Sequence, residues 1–150
     1  MKYLAIIEPS STGYCGYIAD FDTAIIAAYP TVDKVKTALS EGLSIYGQEV
    51  TLPIPKISSL QEVPDLEDTE GMIALWLEPA PLNPVSLEIA GVMKAQNLRP
   101  VDLARRLGVS RANVVRIVDP FYFGHSLALL ARVAEALGAR LELPHLVIGK

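Results

Sequence analysis

The chain has 150 residues, 51 % of them hydrophobic, with a mean hydropathy of +0.32, which excludes a wholly disordered chain and allows one domain or two small ones. No apolar run is long enough to span a membrane, the stretch from Met1 to Pro9 does not read as a signal peptide, and the lone Cys15 excludes an intrachain disulfide or a cysteine metal cluster, so a cytoplasmic protein is expected. The net charge of −4 conceals a split: residues 1–79 hold four Lys and Arg against twelve Asp and Glu, a balance of −8, and residues 80–150 hold nine against five, +4. An acidic half repels nucleic acid and a basic half attracts it.

Tyr3-Leu-Ala-Ile-Ile-Glu8 reads as a strand, followed by a turn through Pro9–Gly13 and a second strand, Tyr14–Ala19, that pairs with it as a hairpin. Asp20-Phe-Asp22 predicts a bend and Thr23–Tyr29 a third strand. Thr31 caps a helix whose apolar stripe is Val32, Val35, Ala38, Leu39, Gly42, Leu43 and Tyr46, at three- and four-residue steps. Residues 51–71, with Pro53, Pro55, Pro64 and an acidic run, predict an extended connection. Met72–Leu77 is a further strand, too apolar to be left on an exposed edge, and the prolines of Glu78–Leu82 form a stiff hinge between domains 1–79 and 80–150.

The second domain opens on a helix start, Asn83 as cap and Pro84 in the first turn, and that helix runs to about Gln96. Residues 100–119, PVDLARRLGVSRANVVRIVD, read as a helix-turn-helix. Leu103, Leu107, Val109, Val114 and Ile117 close the space between its two helices, and Ala104 is small where the second approaches the first. Gly108 supplies a positive φ in the turn, Ser110 caps the second helix, and Asp119-Pro120 ends it. An aromatic loop, Pro120–His125, follows. A last helix begins at the Ser126 cap, turns Leu127, Leu130, Val133, Ala134 and Leu137 inward and stops at Gly138; Ala139–Leu143 alternates like a strand. The fold class is therefore α+β: a small antiparallel sheet with one helix, then an all-α helix-turn-helix domain.

Arg111, Ala112, Asn113, Val115 and Arg116 face outward from the second motif helix, the equipment of a helix that enters a major groove. Arg111 and Asn113 suit base edges, Ala112 or Val115 suits thymine methyls, and Arg116, Arg106 and the Ser110 backbone suit phosphates. One such unit reads only a few base pairs. A homodimer on a palindromic operator, with half-sites roughly 34 Å apart, is therefore expected, with Phe121, Tyr122, Leu143 and Leu146 as candidate dimer residues. No catalytic group, cofactor or metal is expected. Glu8, Asp20 and Asp22 are too few for a two-metal site and read as a solvated or partner-facing acidic rim, and His125 and His145 lack partners at ligand spacing.

Several segments together resemble a HicB-type antitoxin: Tyr3–Glu8, Gly16-Tyr-Ile-Ala-Asp-Phe21, Thr31–Val35 with Ala38-Leu39 and Leu43-x-x-Tyr46, Pro53-Ile-Pro55, a last strand and then the helix-turn-helix. The C-terminal domain is similar to phage-type repressors. The resemblance implies a partial, non-catalytic ribonuclease-H-like N-terminal domain that blocks a small, basic, mRNA-cleaving HicA-like toxin. It also implies a C-terminal domain that represses transcription of the operon encoding both proteins, and an assembly that is a dimer or a tetramer. Two alternatives stay open: a stand-alone transcription regulator whose N-terminal domain senses a small ligand, and an interaction protein with a degenerate helix-turn-helix.

Overall fold

A computed structural model describes residues 1–22, 24–142 and 146–149. The chain divides into two compact units, Met1–Pro81 and Leu82–Lys150, two residues beyond the 79/80 boundary read from the sequence. Among the described residues no helix is long and apolar enough to cross a membrane.

The N-terminal unit is a four-stranded antiparallel sheet with one long helix. β1 (Tyr3–Ser10) and β2 (Gly13–Ile18) form the expected hairpin, with Ile6 opposite Tyr17 and Ile7 opposite Gly16. β3 (Ile26–Tyr29) pairs with β2, and β4 (Ile73–Leu77) pairs with β1, which gives the order β3-β2-β1-β4. β3 is shorter than the expected Thr23–Tyr29. Ala19–Phe21 forms a 3-10 turn, Asp22 takes a left-handed φ of 44°, and the Ala24 N–H donates to the Phe21 carbonyl at 2.8 Å. That turn postpones the ladder until Ile26, and Thr23 lies outside the described residues.

α1 (Val32–Glu49) starts where expected, the Thr31 side chain accepting from the Lys34 N–H at 3.3 Å. Its stripe of Val35, Leu39 and Leu43 packs on Tyr3, Ala5, Ile7 and Ile18 of the sheet. At Gly16 a Cβ would lie 2.7 Å from Val35 Cγ1, so the helix approaches the sheet closely because β2 has no side chain there. Tyr3, Phe21 and Tyr46 form an aromatic chain with centroids 5.5 and 5.2 Å apart.

The segment expected as a bare connection covers the other face of the sheet. Ile57, Leu60, Val63 and Met72 pack over Leu4, Ile6 and Ala19, with a short 3-10 turn at Leu60–Glu62. Tyr3 donates its hydroxyl to the Pro53 carbonyl at 2.7 Å, and Asp20 Oδ1 accepts from the Lys56 and Ile57 N–H groups at 2.7 and 3.1 Å. With both faces covered, every residue of Tyr3–Ile7 is buried, which accounts for an unbroken apolar run in place of an alternating one. Burial, and secondarily the Asp20 charge, raises the Tyr3 hydroxyl above its usual pKa. Asp20 is therefore a structural clamp and not a solvated rim residue.

β4 corrects a second expectation: it is an edge strand, and Ile73 and Trp76 are exposed. Its apolarity serves one face only, where Leu75 and Leu77 join the core beneath α1. After β4 the chain returns to α1, Ser44 donating its hydroxyl to the Ala80 carbonyl and the Ala80 N–H donating to Ser40 O at 2.9 Å.

The C-terminal unit holds four helices among the described residues: α2 (Pro84–Ala95), α3 (Pro100–Leu107), α4 (Arg111–Ile117) and α5 (Leu127–Ala136). One core joins them, from Ile89 and Met93 through Leu103, Leu107, Val114 and Ile117 to Leu130, Val133 and Leu137. Leu127, expected inside, is exposed because it occupies the first turn of α5, beyond the core, and Leu129 packs instead. Residues 139–142 form no strand. The unit offers no strand to pair with among the described residues, and Leu141 simply packs against the helices. Leu143, Pro144 and His145 lie outside the described residues.

Candidate nucleic-acid interface

Residues 100–119, expected as a helix-turn-helix, hold α3, a three-residue turn and α4. Pro100 opens α3, where its missing N–H costs nothing. Asp102 accepts from the Arg99 N–H at 2.9 Å and from its guanidinium at 3.1 Å. Those bonds hold the Asp102 carboxyl down at about 2. Gly108 takes φ 68° and ψ 32°; its N–H donates to Arg105 O at 3.3 Å and the Val109 N–H to Ala104 O at 3.0 Å, the two bonds of a Schellman motif. Ser110 then caps α4, its hydroxyl oxygen accepting from the Asn113 N–H at 3.3 Å.

Leu103, Ala104 and Leu107 on α3 and Val114 and Ile117 on α4 are buried, so α4 is fixed by its inner face. Its outer face is free: Arg111, Ala112, Asn113, Val115 and Arg116 are all exposed, and Ser110 is exposed at the cap. The structure therefore brings six of the seven sequence-derived site residues onto one short, capped helix. The seventh, Arg106, sits on α3 and turns toward α5, donating from Nη1 to the Ala136 carbonyl at 2.9 Å. Arg132 answers from α5, donating to the Leu107 carbonyl at 2.9 Å. Each guanidinium thereby satisfies a carbonyl at the C-terminal end of the helix that carries the other.

Sequence reasoning missed what holds the far end of α4. Ser86, fully buried on α2, donates its hydroxyl to the Ile117 carbonyl at 2.8 Å. Asn83 caps α2 by accepting from the Val85 N–H at 3.1 Å and also donates to the Tyr122 carbonyl at 2.9 Å, while its own N–H meets Pro120 O at 2.6 Å. The signal was present: a serine two residues inside a helix start, at a position the apolar stripe would otherwise fill.

Phe121 and Tyr122, expected at a dimer contact, are half-buried; Phe123 is the exposed aromatic of that loop, and Leu146 is fully exposed. Tyr122 stacks obliquely with His125 at 4.7 Å, and the Arg116 guanidinium lies 5.6 Å from the Tyr122 ring centroid. Among the described residues no group of three or more His, Cys, Asp or Glu side chains is arranged to hold a metal.

No protein-family model matches this chain, and no curated protein matches it in sequence.

Proposed function

We propose that the C-terminal unit is a helix-turn-helix DNA-binding domain of the phage-repressor type and that α4 is its recognition helix. The observation that carries the reading is the exposed row Arg111, Ala112, Asn113, Val115 and Arg116 on a helix immobilised by Val114 and Ile117 and capped by Ser110. Guanidinium and amide groups held in that way meet guanine and adenine edges bidentately, and the small apolar side chains meet thymine methyls. The positive balance of residues 80–150 adds the nonspecific attraction that such a contact needs.

In the same proposal the protein is an antitoxin of the HicB type. Its N-terminal unit, a partial ribonuclease-H-like domain, neutralises a small basic HicA-like toxin, and the whole chain, as a homodimer or tetramer, represses its own operon. The antitoxin half is supported by the segments that resemble the family and by the −8 balance of residues 1–79, which favours a cationic partner.

The test is fluorescence anisotropy with a labelled duplex from the promoter upstream of the protein's own gene, beside a scrambled duplex of equal length. The expected result is a preference for the promoter at every salt concentration and a log K that falls linearly with log[salt]. Equal affinity for the two duplexes at low ionic strength overturns the DNA-binding reading.

A further inference from the structure

The sheet of the N-terminal unit ends at β3, and among the described residues nothing pairs with the outer side of that strand. Alongside it runs a groove formed by two adjoining pockets that share Ala38 on α1. One, of about 330 Å³, is bounded by Tyr29, Asp33 and Glu41. The other, of about 360 Å³, is bounded by Ile25, Gly42, Ile45 and Glu49. Ala38 borders both pockets, and at Gly42 the absence of a Cβ lets the Ile25 side chain form the floor, its Cγ2 only 2.9 Å from where that Cβ would stand.

Apolar surface is left open on both sides of this edge. Ile26 is 59 % exposed on the face that β2 shares with Tyr17, while Tyr29, 46 % exposed, and Ile45, 48 % exposed, stand on the α1 side. Ala27 between them is buried under α1, so the alternation of the strand is preserved to its very edge. The rim is acidic: Asp33, Glu41 and Glu49 against the single Lys34.

We infer that this edge and groove take an extended, basic segment of a partner protein, added as a fifth strand beside β3. Unpaired backbone groups on the edge give a strand its main-chain bonds. An added strand projects alternate side chains to opposite faces, so one set covers Tyr29 and Ile45 and the other covers Ile26. Its cationic residues meet the carboxylate rim, which steers the encounter and selects the partner. A second copy of this chain is the poorer occupant, since pairing β3 with its own counterpart brings the same carboxylates together. The inference rests on the antitoxin reading for one point only, that the partner is the toxin.

The experiment uses the full-length, 15N-labelled chain and the probe peptide Ac-KVKVKVK-NH2, with its glutamate analogue Ac-EVEVEVE-NH2 as control. Saturable shifts confined to residues 24–29 and to α1, absent with the acidic peptide and weakened at least tenfold in Ile26→Asp/Ile45→Asp, are expected. A second variant, Asp33→Lys/Glu49→Lys, leaves the apolar surface in place and is expected to weaken the basic peptide alone. No saturable binding, binding of both peptides alike, shifts centred on β4, or dimerisation through β3 overturns the inference. Co-expression with the product of the neighbouring gene, which the antitoxin reading expects to be a small basic toxin, separates the two readings. Loss of neutralisation in Ile26→Asp/Ile45→Asp with operator binding retained supports the groove as the toxin's seat. Neutralisation that survives the variant overturns that seat and leaves the antitoxin reading standing. If the wild-type chain does not neutralise, the antitoxin reading fails, and the peptide titration alone decides the groove.

Discussion

The Ser86 hydroxyl donates to the Ile117 carbonyl at 2.8 Å, across the interior of the C-terminal unit and between residues 31 apart in sequence. Ile117 closes α4, and its carbonyl is one of those that a helix end leaves without an intrahelical partner. A side chain on α2 thus fixes the depth and rotation of the helix proposed to read DNA.

Ser86→Ala removes the donor and leaves that carbonyl buried and unpaired. The expected cost is about 1–3 kcal/mol, or a fall in Tm of several degrees for a unit of this size. Urea denaturation followed by circular dichroism measures it. Operator affinity is expected to fall as well, since α4 loses its far anchor. An unchanged unfolding midpoint shows that the hydroxyl contributes nothing to the position of α4.

Arg111→Ala/Arg116→Ala is expected to abolish preferential binding to the promoter and to leave toxin neutralisation untouched. Each lost bidentate contact is worth about 1–3 kcal/mol, so the pair lowers specific affinity by roughly a hundredfold or more. Arg140→Ala is the control for charge alone: its guanidinium is exposed, sits 3.9 Å from Glu142 and does not belong to α4. Anisotropy titration of the three proteins separates a contact effect from a general loss of positive charge. If both activities fail together in the double variant, the division of labour between the two units is wrong.

The C-terminal unit was the more legible part of the chain, because its signals are local. Ser110, Ser126, Asn83 and Pro84 act within three residues of their own positions, and each caps or opens the helix expected of it. Gly108 takes the positive φ that its place in the turn between the two motif helices demands. Long-range pairing was less legible. Residues 53–72 show no period that announces a buried surface, so their role as the second cover of the sheet is invisible until Leu4 and Ile6 are seen beneath them. Asp20 looked like one acidic residue among several, since the amides of Lys56 and Ile57 that it binds are 36 and 37 residues away. β4 misled for the opposite reason: Leu75 and Leu77 mark one buried face, and composition alone does not say that Ile73 and Trp76 stay outside. The charge of Arg106 and its closeness to the turn are local signals, while the carbonyl it binds, Ala136 O, belongs to a helix 30 residues on.

The start of α3 is held by an ionised carboxylate. The Arg99 guanidinium and N–H hold the Asp102 carboxyl at about 2, below its ordinary 3.8. A carboxyl lowered by folding contributes stability that is complete above the unfolded value and disappears as pH falls through the folded one. The Arg99–Asp102 contribution is therefore expected to be constant above about pH 4 and to vanish between about pH 4 and pH 2. Urea midpoints of the wild type and of Asp102→Asn should differ at neutral pH and converge over that window. High salt should narrow the gap, since Arg99 is open to solvent. A difference that persists undiminished at pH 2 assigns the effect to something other than the ionised carboxylate.

The two arginines that cross between α3 and α5 lead to a final expectation. Arg106 donates to Ala136 O and Arg132 to Leu107 O, both at 2.9 Å, so each helix has its last carbonyls tied by a side chain of the other. Leu107 immediately precedes Gly108, so the Arg132 bond anchors the turn that aims α4. Arg132→Ala is expected to destabilise the unit by about 1–2 kcal/mol and to lower operator affinity without changing its salt dependence, because a disturbed turn misaims the helix but removes no phosphate contact. Arg106→Ala should cost less, since its bond to Ala136 O is open to solvent. A salt slope for DNA binding that is unchanged in Arg106→Ala identifies Arg106 as a clamp. A slope lower by about one identifies a guanidinium that also reaches a phosphate. Measuring log K against log[salt] for the wild type and both variants, beside their urea midpoints, distinguishes the two roles. Full stability in both variants removes the clamp itself from consideration.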